Sequence, residues 1–113
     1  MKKIKAFEEA INQKAKLKEL GINHTLLWAY RISKENGNKL IDFDDVIWGC
    51  EVEEIAQNLR ANGITEFTIS SGFSGLIEVL AAFEKHGISI AGITTVNTYL
   101  TYDVIPAIKM KVN

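Results

Sequence analysis

Residues 65–96 read TEFTISSGFSGLIEVLAAFEKHGISIAGITTV, and the division of this stretch into elements decides the fold. TEFTIS, at 65–70, alternates β-forming and polar residues and predicts a strand. Phe73, Leu76, Ile77, Leu80 and Phe83 recur at helical spacing and predict a helix over 73–86 with one apolar face. His86 and Gly87 end it, the glycine supplying a left-handed stop. ISIAGITTV, at 88–96, is apolar or small on both faces, as a central strand would be. Two strands joined through a helix are expected to lie side by side and parallel, with a right-handed crossover. Phe67 and Ile90 should then sit on neighbouring strands.

Working outward, residues 97–103 should turn the chain back into an antiparallel strand over 104–112. Val104, Ile108, Met110 and Val112 share one side of it; Lys109 and Lys111 point the other way. Pro106 cannot donate to a ladder, which predicts an edge strand. Towards the N-terminus, residues 52–62 form a helix with Val52, Ile55, Ala56 and Leu59 inward and Gly63 as its stop. The segment 41–47 is the candidate fourth strand, its apolar residues competing with Asp42, Asp44 and Asp45. Asn23 can cap a helix over 24–35; Trp28, Tyr30 and Ile32 also alternate as in a strand, and the helix is favoured. Ile4, Phe7, Ile11, Leu17 and Leu20 predict a helix over 4–20, stopped by Gly21. The expectation is one α/β domain over 1–113: a small mixed sheet packed by four helices. Trp28 and Trp48 are assigned to its core.

A chain of 113 residues with 47% apolar and 24% charged residues can build one core without metal or disulfides. Cys50 is the only cysteine, which excludes an intramolecular disulfide and fits a reducing compartment. Charged residues interrupt the N-terminal stretch, no apolar run reaches membrane-spanning length, and a cytoplasmic location is expected. The net charge of −1 speaks against nucleic acid. Charge is nevertheless unevenly placed. Lys2, Lys3, Lys5, Lys14, Lys16 and Lys18 crowd the first 20 residues, whereas 42–54 carries Asp42, Asp44, Asp45, Glu51, Glu53 and Glu54 with no basic residue.

No catalytic signature emerges. Ser70, Ser71, Gly72, Ser74 and Gly75 follow a strand and open a helix, where backbone N–H groups and hydroxyls could hold an anion. The loop lacks a P-loop lysine and a dinucleotide fingerprint, and helix capping accounts for the same residues. The aspartates lack calcium-loop spacing, so neither metal nor cofactor is expected. Cys50, His24 and His86 have no spacing that would make a nucleophile–base pair. The acidic stretch 42–54 and the loop tyrosines Tyr99 and Tyr102 are candidates for a partner surface.

Ile47-Trp48, EVEEIAQNLRANGITEFTIS, GLIEVLAAFEKHG, TTVN and the closing IPAIKMKV resemble a family of small bacterial proteins of unknown function, associated with mobile elements and prophages of gut Firmicutes. The likeness covers about 60% of the chain and carries no catalytic residue. It implies a setting: a non-enzymatic accessory protein contacting a host or competing-element protein. The alternatives are a small-ligand or nucleotide site in the loop 70–75, and a homodimer paired through strand 104–112.

Overall fold

The computed structural model describes residues 23–98 and 104–113. The helix expected over 4–20, with Tyr99 and Tyr102, lies outside the described residues. In chain order the elements are α1 (His24–Glu35), β1 (Asp42–Phe43), a 3-10 turn (Gly49–Glu51), α2 (Val52–Ala61), β2 (Glu66–Ile69), α3 (Leu76–Lys85), β3 (Ile88–Asn97) and β4 (Val104–Val112). The fold is mixed α/β, a strand–helix–strand–strand sheet unit packed against helices. Asn23 caps α1 as expected, its side chain accepting from the Leu26 amide at 2.9 Å.

The sheet order is β1-β2-β4-β3, which corrects two expectations. First, β2 and β3 point the same way but are not neighbours: Phe67 and Ile90 both pair with Met110 of β4, which lies antiparallel between them. Second, β4 is interior and the apolar β3 takes the edge. A dimer using β4 as an edge strand would find no edge along Ile108–Lys111, where both sides are paired.

Proline is tolerated in this interior strand for a positional reason. The Val112 amide donates to Thr65 on the β2 side, so alternation turns the nitrogens of Met110, Ile108 and Pro106 the same way. β2 pairs only as far as Ile108. The missing N–H of Pro106 therefore faces a position where no partner strand runs.

One face of the sheet carries Phe43, Phe67, Ile69, Ile88 and Met110, all buried. Phe67 is its centre, with ring centroids 5.5 Å from both Phe43 and Phe83, in the tilted and edge-on arrangements aromatic pairs prefer. α2 packs on α3 and β4, α3 on β3, and α1 on β1. The inward face of α3 is Leu76, Val79, Leu80 and Phe83; Ile77, expected on that face, is 78% exposed. The helix begins at Leu76 rather than 73 because Phe73 to Leu76 forms a separate turn, closed by a 3.1 Å bond.

On the opposite face Lys109 and Glu66 pair at 2.8 Å, while Ala107 and Val96 are buried towards its far end. A bulge between Ile90 and Gly92 interrupts the β3 register. At the far end of β3, the Asn38 side chain substitutes for a strand: its Nδ2 donates to the Asn97 carbonyl at 3.2 Å and its Oδ1 accepts from the Asn97 amide at 2.8 Å. β3 is thus tied to the turn after α1.

Gly87 has φ +76, and a Cβ there would meet Arg60 Nη2 at 2.9 Å. That guanidinium donates to the His86 carbonyl and, at 3.4 Å, to the Asn113 carbonyl, joining α2 to the α3–β3 corner and the end of β4. Gly87→Ala is expected to destabilise the protein by about 1–3 kcal/mol, from the left-handed backbone and displacement of Arg60. Urea unfolding should show a lower midpoint with an unchanged slope.

Candidate functional site

Between α1 and the segment 43–48 runs a groove. One wall is the outward stripe of α1, His24, Trp28, Ile32 and Glu35, spaced so that they stack along one helical side. The other wall carries Asp44, Asp45, Val46 and Trp48; Ala29 and Phe43 also line the groove. The part between the two tryptophans has a volume of about 510 Å³, within the range of ordinary ligand pockets. Past Trp28 it continues beside Ile32, Glu35 and Asn36. A polar branch opens by Asp44 towards Asp42, Ser70, Asn38 and Asn97.

Trp28 and Trp48, assigned to the core from sequence, are instead 52% and 65% exposed. Helical geometry explains Trp28: the buried residues of α1 are Leu26, Ala29, Tyr30 and Ser33, which turns Trp28 outward. Trp48 follows buried Ile47 and precedes the 3-10 turn, where its backbone caps the turn and leaves the ring outside. The Arg31 guanidinium stands 6.0 Å from the Trp28 ring centroid, so this ring already engages a cation.

The acids of the candidate partner surface 42–54 divide into four placements. Asp42 is buried on the Lys109 face of the sheet, accepting from Thr68 Oγ1 and Ser70 Oγ, each at 2.6 Å. Glu51 and Glu54 fasten the start of α1. Glu51 accepts from Thr25 Oγ1 at 2.7 Å and from the Trp48 amide at 3.1 Å, while Glu54 accepts from Asn23 Nδ2 at 3.0 Å. The Asn23 amide donates to Asn58 Oδ1 at 2.7 Å, extending the same clamp to α2. Glu53 is exposed in the first turn of α2. Only Asp44 and Asp45 of the proposed acidic surface line the groove between the tryptophans.

The loop 70–75 braces this wall. Ser70 holds Asp42, and Ser71 Oγ donates to the Asp45 carbonyl at 2.9 Å. Gly72 and Ser74 are exposed, and Gly75 precedes α3 with φ −98. Of the five loop residues, Ser70 alone lines the polar branch. Cys50 is exposed in the 3-10 turn. Among the described residues no group of three or more His, Cys, Asp or Glu side chains is placed to hold a metal ion. No helix among the described residues is long and apolar enough to cross a membrane.

Asp44 is the electrostatic centre of the groove. Desolvation of its carboxyl, then the neighbouring Asp42 carboxylate, and to a smaller degree Asp45, push its pKa above the ordinary 3.8, against a backbone hydrogen bond that lowers it. Among the described residues no lysine or arginine lines these three adjoining cavities.

A family model described as a domain of unknown function, DUF7698, matches residues 25–112, and the chain belongs to that family. No curated protein and no solved structure matches it. The matched span includes the whole groove except His24.

Because the folded state raises the Asp44 pKa, its ionisation costs stability. That cost is fully present above the folded pKa, shrinks as pH falls through it, and is gone below 3.8. Asp44→Asn keeps the hydrogen-bond acceptor and removes the charge. It should raise Tm at pH 7 by a small amount, about 1–3 °C, since water screens the site. The gain should fade below pH 4 in a thermal-unfolding series, as the wild-type carboxyl also becomes neutral.

Proposed function

We propose that this member of the DUF7698 family is a non-enzymatic binding protein whose working surface is the groove between α1 and the segment 43–48. The observation that carries the proposal is the placement of Trp28 and Trp48. They are the only two tryptophans in the chain, both are largely exposed, and they line the same groove. Exposed tryptophans leave apolar area in contact with water, and tryptophan is the residue most enriched where one protein anchors another. The partner side therefore needs apolar side chains to enter between the rings.

The setting belongs to the same proposal. The stretches quoted above resemble proteins of bacterial mobile elements and prophages, in which a small accessory protein works in the cytoplasm on a host or competing-element protein. The absence of a membrane-crossing helix among the described residues is compatible with that location. The alternative of a small-ligand site in the loop 70–75 is less favoured, because Ser70 and Ser71 already spend their hydroxyls on Asp42 and Asp45.

The test is affinity capture from host-cell extract by the wild-type chain and by Trp28→Ala/Trp48→Ala, each first shown to be folded by circular dichroism. The double variant should keep near-native stability, since both rings are exposed. A partner held by wild type should be lost, or weakened at least tenfold, with the variant. A partner held equally by both, or no partner at all, would contradict the proposal.

A further inference from the structure

We infer that the groove accepts an extended, cationic segment of a partner protein, its lysine or arginine side chains meeting Asp44 and Asp45 while its apolar side chains lie against Trp28 and Trp48. The inference rests on the binding role proposed above and adds the chemistry and shape of the occupant.

Charge complementarity carries the first part. Asp42, Asp44 and Asp45 line the groove and its polar branch, and among the described residues none lining them is a lysine or arginine. Glu35 is already paired with Arg31 at 3.9 Å, which leaves Asp44 and Asp45 as the carboxylates open to a cation between the tryptophans. A cation entering the groove would relieve the mutual repulsion that Asp44 shares with Asp42 and Asp45. An anionic partner would increase it. The Trp28 ring is already engaged by the Arg31 guanidinium at 6.0 Å, so the incoming cations go to the aspartates and the rings take the apolar side chains.

Shape carries the second part. The helical wall runs from His24 to Asn36, twelve residue steps, or roughly 18 Å at the rise of an α-helix. That length matches about five or six residues of extended chain. The opposite wall is irregular, with a bend at Asp45, and leaves the side chains of Asp44, Asp45, Val46 and Trp48 exposed towards an occupant. A segment of alternating basic and apolar residues would present its two kinds of side chain to the acids and the rings.

The test is a fluorescence titration of the full chain, in which both tryptophans report from the groove. Three non-fluorescent hexapeptide amides serve as probes: Leu-Arg-Ala-Lys-Leu-Arg, a version with glutamine at every basic position, and one with glutamate there. The basic peptide should change the emission saturably and bind at least tenfold more tightly than the other two. Its affinity should drop several-fold between 50 and 300 mM salt, as expected where exposed charges contribute. Asp44→Asn/Asp45→Asn, which keeps a carbonyl oxygen for the Val46 amide and removes both charges, should weaken it at least tenfold.

Equal binding of the glutamine peptide would overturn the cationic inference while leaving the tryptophan groove as a binding surface. No response to any peptide would overturn the inference outright. The lysine-rich stretch of the chain itself is the competing occupant. If Lys14→Gln/Lys16→Gln/Lys18→Gln shifts the tryptophan emission without peptide, that stretch fills the groove and the partner-protein assignment fails. Survival of extract capture in the Trp28→Ala/Trp48→Ala variant would instead defeat the underlying binding role, so the two failures are separable.

Discussion

The groove depends on one constraint: α1 is fastened to the rest of the protein at both ends and held apart from segment 43–48 between them. At its start, Asn23 and Thr25 engage Glu51, Glu54 and Asn58. Near its end, Ser33 Oγ accepts from the Asp42 amide at 2.8 Å on the outer edge of β1. Such bonds, made by groups with little water around them, contribute about 1 kcal/mol each and cost more when one partner is left unpaired. Leu26, Ala29 and Tyr30 bury the inner side of α1. With both ends pinned, the outer stripe has no element above it among the described residues, and Trp28 stays in the wall.

The opposite wall is held just as firmly. Phe43 and Ile47 are buried, anchoring the segment at two points, and Ser71 binds the backbone carbonyl of Asp45 between them. Phe43 is also an outer ring of the aromatic series centred on Phe67. The sheet core therefore sets the position of the acids, and the loop 70–75 works as a brace for the surface. A groove prepared in this way loses little conformational freedom when occupied.

Much of the architecture was legible in the sequence. The Asn23 cap, the 3.6-residue periodicity of α2 and α3, and the alternation of β4 are local patterns, and each appears in the structure at nearly its expected bounds. The strand order was not legible. Adjacency depends on which strand fills the space beside β2, and no local pattern distinguishes β3 from β4 for that place. Pro106 pointed to an edge because the rule concerns a missing donor; it was the short reach of β2 that made the donor unnecessary. The apolar character of β3 pointed to the interior, yet Ile90 and Ile93 are 56% and 73% exposed at the edge.

The candidate site was legible in part. The acidic stretch was visible, but which acids face the groove depends on bonds to Thr68, Ser70, Thr25 and Asn23, distant in sequence. The tryptophans were misassigned because large aromatic residues are usually buried. A helical projection of α1 placing Leu26, Ala29, Tyr30 and Ser33 inward would have turned Trp28 outward. The most direct measurement is acrylamide quenching of tryptophan fluorescence in the folded protein, compared with the urea-unfolded chain. Quenching close to the unfolded value for both rings is the predicted result; emission shielded from the quencher would place the tryptophans in the core and contradict the groove.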